Sequence, residues 1–408
     1  MKLLVVDNGF NTELARRLGE SGLFTNVAYF APWQTDFVAT RERAIGTGFD
    51  EFDRIYDISE STLEKFDAFF FPDLYWGDLA IHLRDNGYPV WSAFESEQLE
   101  LDRRFLIETM VGLGMRLPRH TVKKGITAAL ATAKDGDFLK ITGYSRGDFE
   151  TAKHEAAFPT WPAKLRKRMG PLADDIPIII EKPIEDDHEV GWDAIVLGGK
   201  VTWPMMLGYE KKDSAYLSKV IRQFPGPLAT DSLKLLHYIE TTPYAQFMST
   251  EFRGNVLIDL TTRTPSPPSD IHLGFWKNFA VAVHGWLDDN IQPRSWQPTA
   301  AYAAEAIIKN TSQGDYIWID VPPEHRAQVG VRHAFVHSGK LWAAPPRDDV
   351  MEEVGAVWAS GSSPEKAIGN LEIILDDIKM SESCKVDTET LHALLKTVEK
   401  GEKEGIPF

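Results

Sequence analysis

The residues best suited to chemistry are a lysine and the glycine-flanked loop that follows it. Lys140 lies in the apolar run Phe138-Leu139-Lys140-Ile141, just before the polar loop Gly143-Tyr144-Ser145-Arg146-Gly147. A lysine ammonium is a compact charge on a long stem, and the backbone N–H groups of such a loop can add further donors to one anion. This spacing favours phosphate binding by Lys140 over a solvated lysine at a strand edge. Arg146 could contact a terminal phosphate, and an exposed loop arginine is an equally good interpretation.

A second candidate site consists of acids around a predicted hairpin. Asp259 is the best metal candidate, because Mg²⁺ prefers carboxylate oxygens and shares its coordination shell with phosphates. Glu251 is the carboxylate on the preceding predicted strand. A turn at Arg253-Gly254-Asn255 would let both side chains point to the same face of the hairpin. An exposed glutamate without a role remains the alternative for Glu251.

The motifs that the sequence lacks, together with its overall charge, exclude several classes of protein and several kinds of site. The sequence has no Gly-x4-Gly-Lys-Ser/Thr loop and no His-Glu-x-x-His spacing, which excludes a P-loop NTPase and disfavours a zinc hydrolase. The single cysteine, Cys384, excludes an intrachain disulfide and a cysteine-built zinc site. A formal net charge of −16 without a long basic block disfavours extended nucleic-acid binding. Without a signal peptide or an apolar span in the sequence, we expect a cytoplasmic protein with no membrane contact.

The elements that must position these residues differ along the chain. Alternating strands and helices near the N-terminus indicate a small doubly wound domain with a parallel sheet. The predicted segments there are strands at 2–6, 26–30, 68–71 and from 88, and helices at 13–18 and about 78–86. One long amphipathic helix is predicted over 98–114.

The rest of the chain is typical of α+β structure with antiparallel sheets. Predicted strands lie at 137–141, 176–180, 192–197 and 200–203, and on both sides of 253–255; Gly198-Gly199 indicates a hairpin turn. A strand-rich region begins near 315, and helices are predicted near 364–379 and at 387–404. At 408 residues the chain exceeds one ordinary core. We predict an α/β domain at 1–92, a central domain at 93–310 and an α+β domain at 311–408.

Several ordered segments carry a resemblance to a known enzyme family. They are Phe71-Pro72-Asp73 with Gly87-Tyr88-Pro89-Val90-Trp91, Leu99-Glu100-Leu101-Asp102-Arg103, Phe138-Leu139-Lys140-Ile141, Ile180-Glu181-Lys182-Pro183-Ile184, Asp259-Leu260-Thr261-Thr262-Arg263 and Gly355-Ala356-Val357-Trp358. In order and spacing they resemble the ATP-grasp superfamily, and within it the phosphoribosylamine–glycine ligases. The resemblance covers nearly the whole chain. It implies an ATP-grasp fold with an N-terminal doubly wound domain and a small β-rich C-terminal domain.

The resemblance also implies ATP and Mg²⁺ (or Mn²⁺) as cofactors and a role for each matched residue. The implied roles are phosphate contact by Arg103 and Lys140, backbone contact to adenine by Glu181, Lys182, Pro183 and Ile184, ribose contact by Glu189, metal ligation by Asp259, Glu251 and Thr261, and charge stabilisation during phosphoryl transfer by Arg263 and Arg146. Because Pro183 has no N–H, the donor to adenine must come from Ile184 or a neighbour. The implied reaction joins a small carboxylate to an amine through an acylphosphate, in a monomer or weak dimer.

Three departures from the family pattern affect the substrates. Asp7-Asn8-Gly9-Phe10-Asn11 replaces a glycine-rich loop, Asp259 and Thr261 replace glutamate and asparagine, and Thr264-Pro265-Ser266-Pro267-Pro268-Ser269 replaces the acidic segment after Arg263. These changes point to an amine other than phosphoribosylamine, while glycine is the first carboxylate to test. An ATP-binding regulator without turnover and an ATP-grasp phosphotransferase remain the alternatives.

Overall fold

A parallel sheet of buried apolar strands opens the chain. The computed structural model describes residues 1–32, 43–141, 150–152, 158–185, 189–212, 214–266, 269–311, 316–344 and 353–408. The first elements are β1 (Lys2–Val6), α1 (Thr12–Glu20), β2 (Asn26–Phe30), β3 (Asp53–Arg54), α2 (Glu60–Leu63), β4 (Ala68–Phe70), α3 (Gly77–Asp85) and β5 (Val90–Trp91). All neighbouring strands pair in parallel in the order β3-β2-β1-β4-β5, so the predicted doubly wound sheet is confirmed.

The order in which successive strands are added to this sheet reverses between β1 and β4. From β1 the chain adds β2 and β3 on one side, and then β4 and β5 on the other. Ligands of such sheets usually bind beyond the carboxyl ends of the strands at this reversal. Asn8 follows β1 and Asp73 follows β4, and Asn8 Nδ2 donates to Asp73 Oδ2 over 3.0 Å. The two loops that could hold a substrate are therefore bonded to each other.

The prediction of one continuous helix over 98–114 is wrong. Two helices, α4 (Gln98–Leu101) and α5 (Arg103–Gly112), are separated by Asp102, whose backbone is extended at φ −113° and ψ 97°. The Asp102 carboxylate accepts hydrogen bonds from the N–H groups of Arg104 at 2.9 Å and Phe105 at 3.2 Å, which caps α5. Arg103 consequently becomes the first residue of a helix.

A small antiparallel sheet follows, with a core of its own. Its elements are β6 (His120–Lys124), α6 (Ile126–Thr132), β7 (Phe138–Ile141), β8 (Glu150–Ala152), α7 (Trp161–Met169) and β9 (Pro177–Glu181). The strand order is β6-β9-β7-β8. Leu139 and Ile141 pack with Ile178 and Ile180 against Trp161. Because this core covers one face of β7 and β9, the side chains on their opposite face are the ones available for a functional site.

A large antiparallel sheet forms the remaining framework. Its strands and the connecting helices are β10 (Glu189–Leu197), β11 (Lys200–Val201), β12 (Met205–Lys211), β13 (Ala215–Ile221), α8 (Gly226–Ile239), β14 (Gln246–Arg253), β15 (Val256–Thr261), α9 (Ser269–Phe275), α10 (Phe279–Asp289) and β16 (Tyr302–Asn310). The C-terminal elements are β17 (Ile317–Asp320), β18 (Val329–Val331), β19 (Ala334–His337), β20 (Lys340–Ala343), β21 (Glu353–Gly361), α11 (Pro364–Asp377), β22 (Lys379–Met380), β23 (Cys384–Val386) and α12 (Thr388–Lys403). The large sheet runs β15-β14-β10-β12-β13-β16-β21-β18, with β11 beside β10 and β23 beside β16. The predicted hairpins of β10 with β11 and of β14 with β15 are confirmed.

The large sheet also crosses the predicted limit between residues 310 and 311. β16 ends at Asn310 and pairs with β21, and a separate sheet orders its strands β19-β20-β17-β22. The division into domains at 1–92, 93–310 and 311–408 stays a prediction. Among the described residues, no helix combines the length and apolar character needed to cross a membrane.

Candidate active site

Two cations and two carboxylates from four separate segments meet beside the small sheet. Arg103 binds Glu181 through two hydrogen bonds, from Nε to Oε1 at 2.6 Å and from Nη2 to Oε2 at 3.0 Å. Lys140 Nζ lies 3.9 Å from Glu181 Oε2 and 3.9 Å from Asp259 Oδ2. Arg103 Nη1 lies 3.8 Å from Asp259 Oδ1. The predicted phosphate-binding cations thus lie next to the predicted metal ligand.

The alternation of β7 and β9 explains why Lys140 and Glu181 approach each other. Lys140 is the cross-strand partner of Ile179, and Glu181 is two residues further along the same strand. Residues two apart on a strand share a face, as do cross-strand partners. Because the intervening Leu139 and Ile180 are buried in the small core, the charged side chains project to the other face.

The electrostatics of this cluster depend on the pairing of buried charges. Arg103 and Glu181 are both buried, at 6% and 5% exposure. A bidentate guanidinium–carboxylate pair compensates part of the cost of removing both charges from water. Burial raises the pKa of Asp259, but the nearby charges of Lys140 and Arg103 outweigh this effect and hold the pKa below its usual value. Asp259 is therefore an ionised carboxylate, as a metal ligand has to be.

Glu251 and Asp259 form the acidic pair predicted from the hairpin. They are direct cross-strand partners on β14 and β15, so both project from the same face. Burial, and after it the negative charge of Asp259, raise the pKa of Glu251 to about 8. A divalent cation between the two would allow both to ionise, which fits a Mg²⁺ site.

Thr261 adds a hydroxyl group to the two carboxylates of the candidate metal site. Thr261 lies two residues beyond Asp259 and pairs with Ser249, so its hydroxyl belongs to the same face. Over the described ranges, no group of three or more histidine, cysteine or acidic side chains is placed to hold a metal ion. Two carboxylates suit Mg²⁺, which usually keeps water and substrate phosphate as its remaining ligands.

The segment predicted to contact adenine leaves the end of β9 as an irregular chain. The Lys182 N–H donates to the carbonyl oxygen of Arg119 over 2.8 Å, and Lys182 Nζ donates to Asp137 Oδ2 over 2.6 Å. Pro183 has no N–H to donate. Within 181–184, the backbone donor best placed for a ligand is therefore that of Ile184.

The remaining predicted nucleotide contacts are only partly described. Glu189 begins β10, and its Oε1 accepts a hydrogen bond from Arg253 Nε at 2.8 Å, which holds the carboxylate near the hairpin of β14 and β15. Arg146 and its loop lie outside the described residues. The structure therefore brings Arg103, Lys140 and the hairpin acids together without showing the predicted loop contact.

Arg263 has a partner whose role the sequence did not indicate. Its Nε donates to Glu100 Oε1 over 2.9 Å, and the N–H of Thr262 donates to Glu100 Oε2 over 2.7 Å. The N–H of Thr264 donates to the carbonyl oxygen of Pro72 over 2.9 Å, so Arg263 lies close to the end of β4. The one available signal for Glu100 is its position three residues before Arg103 in the same motif.

Solved structures with a similar fold cover nearly the whole chain. Phosphoribosylamine–glycine ligase from Thermotoga maritima has a TM-score of 0.65 and 14% identity, covering 94% of this chain and 98% of its own. L-amino acid ligase from Bacillus licheniformis has a TM-score of 0.61 and 13% identity, covering 93% and 98%. The biotin carboxylase domain of 2-oxoglutarate carboxylase from Hydrogenobacter thermophilus, in complex with MgADP and bicarbonate, has a TM-score of 0.64 and 13% identity, covering 97% and 93%.

At these identities the likeness shows the fold alone. No model of a protein family matches the sequence, and no curated protein matches it. The predicted ATP-grasp fold, with its parallel and antiparallel sheets, is confirmed.

Proposed function

We propose that the protein is an ATP-dependent ligase that joins a carboxylate to an amine through an acylphosphate. The observation that carries the proposal is the convergence of Arg103, Lys140 and Asp259, in which both cations lie within 3.9 Å of the Asp259 carboxylate. A metal–nucleotide complex requires cationic side chains that bind its phosphates and a carboxylate that binds its metal ion. The fold shared with two ligases and with a MgADP-binding carboxylase supports the same function.

In this proposal ATP spans the space between the small sheet and the hairpin of β14 and β15. Arg103 and Lys140 contact phosphate oxygens, and phosphate competes with Glu181 for the Arg103 guanidinium. The backbone of Glu181, Lys182, Pro183 and Ile184 contacts adenine, with Ile184 as the N–H donor. Glu189 accepts from the ribose hydroxyls with the oxygen that Arg253 does not use.

Asp259 and Glu251, together with Thr261, would hold Mg²⁺ or Mn²⁺. When bound, such an ion neutralises negative charge on the phosphate oxygens. Arg263 stabilises the charge on the phosphoryl group in transfer, and Glu100 fixes the orientation of its guanidinium. Arg146 is proposed as a further phosphate contact.

The chemistry itself asks little of the protein beyond positioning. A carboxylate oxygen attacks the γ-phosphorus, the bond to the bridging oxygen breaks, and ADP leaves. The amine nitrogen then attacks the acyl carbon, phosphate leaves, and the nitrogen passes a proton to the departing phosphate. The strand ends at Asn8 and Asp73 lie near Arg263, which suits an acceptor site for a small amino acid such as glycine and a small or nucleotide-like amine.

The test is ADP release from ATP measured with panels of amino acids and amines, with the amide product detected by mass spectrometry. We expect ADP and amide in equal amounts for at least one pair. ADP without an amide would instead indicate a phosphotransferase. MgATP binding without ADP release for any pair would indicate a regulator.

A further inference from the structure

A small cavity lies within the large sheet, next to the proposed metal ligands. It has a volume of about 10 Å³, which holds the centre of one water-sized particle. Four acidic side chains and three hydroxyl-bearing residues line it: Glu189, Asp193, Glu210, Glu251, Tyr216, Ser249 and Thr250. An acidic cavity of this size selects for a very small cationic group.

The strand register places this cavity on the same face as the candidate active site. Asp193 on β10 pairs with Ser249 on β14, and Ser249 pairs with Thr261 on β15. Cross-strand partners share a face of the sheet. A ligand in the cavity therefore lies beside Glu251 and one strand away from Asp259 and Thr261.

Two glycines that face each other allow neighbouring groups to pack closely against the backbone at the cavity. Gly191 on β10 and Gly208 on β12 are cross-strand partners. A Cβ atom at Gly208 would lie 2.1 Å from Cζ of Tyr216, and one at Gly191 would lie 1.6 Å from the carbonyl oxygen of Thr250. Tyr216 thus lies across the bare backbone of Gly208, and its hydroxyl donates to Asp193 Oδ2.

The cavity contains a buried acceptor that still needs a donor. Asp193 is 2% exposed, and its Oδ1 has no hydrogen-bond partner among the residues that the structure describes. Such an atom loses its hydration without compensation. Burial raises the pKa of Asp193 to about 7, while the hydroxyls of Ser249 and Tyr216 have the opposite, smaller effect.

The charges around Asp193 distinguish between water and a cation as the missing donor. Glu189, Glu210 and Glu251 line the same cavity. Burial and the charges of neighbouring acids raise the pKa of Glu210 and of Glu251, and the charge of Lys212 offsets only part of this rise. Water would supply a donor to Asp193 Oδ1 but would leave the repulsion between these acids uncompensated. An ammonium group would supply several donors and one positive charge in nearly the same volume.

We propose that this cavity binds an ammonium group, either as the free ion or as the terminal group of the amine substrate. The inference rests on the proposed ligase function and deepens it, because it assigns a position to the amine nitrogen. That position is beside Glu251, at the metal end of the site, and the nitrogen would pass one proton to solvent before it attacks an acylphosphate.

The experiment measures the thermal unfolding midpoint of the full chain in different chloride salts of equal ionic strength. The pH is kept above the Asp193 pKa of about 7. We expect ammonium to raise the midpoint by roughly 2 °C or more relative to tetramethylammonium, which cannot enter or donate. Methylammonium distinguishes the sources, because a substrate terminus predicts stabilisation by both ions and a free-ion site by ammonium only. An equal effect of potassium would overturn the assignment, since potassium donates no hydrogen bonds.

Variants locate the effect. Asp193→Asn keeps the shape and removes the charge, so the ammonium shift should be lost; Glu210→Gln, at the same cavity, should reduce it and serves if the first variant does not fold. Glu305→Gln is the matched control, because Glu305 is buried on the same face as the cross-strand partner of Tyr216 and lies outside the cavity. An ammonium shift that persists in Asp193→Asn, or that is missing in the unchanged protein, would refute the site.

A parallel measurement with MgATP separates this inference from the proposed function. A shift with MgATP but none with ammonium overturns the ammonium site and leaves the ATP site standing. An ammonium shift without any MgATP shift contradicts the ligase and leaves a cation site.

Discussion

At the scale of single residues, the candidate site is defined by charges that already have partners. Arg103 is held by Glu181, Arg263 by Glu100, and Glu189 by Arg253. These pairs hold long side chains in one geometry, so less conformational entropy is lost when a ligand binds. Lys140 Nζ lies 3.9 Å from a carboxylate oxygen of Glu181 and 3.9 Å from one of Asp259. We expect Lys140 to contribute to nucleotide affinity through a charge-assisted hydrogen bond to a phosphate oxygen.

Replacing Lys140 by alanine should weaken MgATP binding about 10-fold to 100-fold, because a hydrogen bond between charged groups contributes about 1.5–3 kcal/mol. Isothermal titration calorimetry measures the change. Lys124→Ala is the matched control, since Lys124 lies on the same small sheet and pairs with the exposed Asp175. Equal affinities for the Lys140 variant and the control would contradict the proposed phosphate contact.

Replacing Arg263 by alanine should lower kcat by about 100-fold or more while MgATP affinity changes little. The reason is that Arg263 acts on charge that develops during phosphoryl transfer. Steady-state ADP release and calorimetry together separate the two effects. Glu100→Gln, which weakens the orienting partner, should cause a smaller loss of kcat; a fall in MgATP affinity with unchanged kcat in Arg263→Ala would count against this role.

At the scale of elements, the position of Arg103 depends on a helix boundary that periodicity does not reveal. The apolar spacing over 98–114 continues through Asp102 and therefore predicts one helix. An aspartate side chain can bond either to water or to the N–H groups two and three residues on, and only the packing of α4 decides between them. The matched motifs located Arg103, Lys140 and Asp259 because each lies in a short segment of fixed pattern. The partners Glu181 and Glu100 depend on contacts between separate segments, which no local pattern specifies.

Asp102→Ala should lower the free energy of unfolding by about 0.5–2 kcal/mol, because α5 loses its cap. Since Arg103 is the first residue of this helix, MgATP affinity should fall in the same variant. Asp102→Asn retains an acceptor oxygen and should keep most of both properties. Denaturant unfolding measures the free energy of unfolding, and calorimetry measures the MgATP affinity. An alanine variant as stable as the unchanged protein would show that the cap has no effect.

The loop after β4 should make stability depend on pH through Glu97. Its carboxylate accepts from the N–H groups of Tyr75 at 3.1 Å and Gly77 at 3.2 Å. Burial, with a smaller contribution from the charges of Asp78 and Asp73, raises the pKa of Glu97 from 4.5 to about 7 despite these two hydrogen bonds. The folded chain thus holds a proton that the unfolded chain releases between these pH values, so the free energy of unfolding falls as pH rises through this window.

Glu97→Gln mimics the protonated acid and should remove this loss, worth about 1–3 kcal/mol at the upper end of the window. The measurement is the free energy of unfolding as a function of pH. Glu95→Gln is the control, because Glu95 is an exposed neighbour that pairs with Arg84, and it should keep the pH dependence of the unchanged protein. Parallel curves for Glu97→Gln and the control would contradict the raised pKa.

At the scale of the whole molecule, the small sheet and the large sheet meet at one site, and the large sheet extends across the predicted domain limit at residue 310. The order of strands and helices predicted the fold class, because alternation and hairpin turns are local signals. The pairing of β16 with β21 could not be predicted in this way, since it joins strands from both sides of the predicted limit at residue 310. Such pairing depends on burying the shared apolar face, as between Ala306 and Val357, and only the assembled sheet specifies it. The same assembly brings β15 against the small sheet and places Asp259 beside Lys140.

The most direct test of the account is a crystal structure of the protein soaked with a non-hydrolysable ATP analogue and Mg²⁺. We expect the phosphates to contact Arg103 and Lys140, adenine to accept from the N–H of Ile184, and the metal ion to lie between Glu251 and Asp259. A nucleotide bound elsewhere, or one that contacts neither Lys140 nor the segment 181–184, would contradict the ATP-dependent function itself.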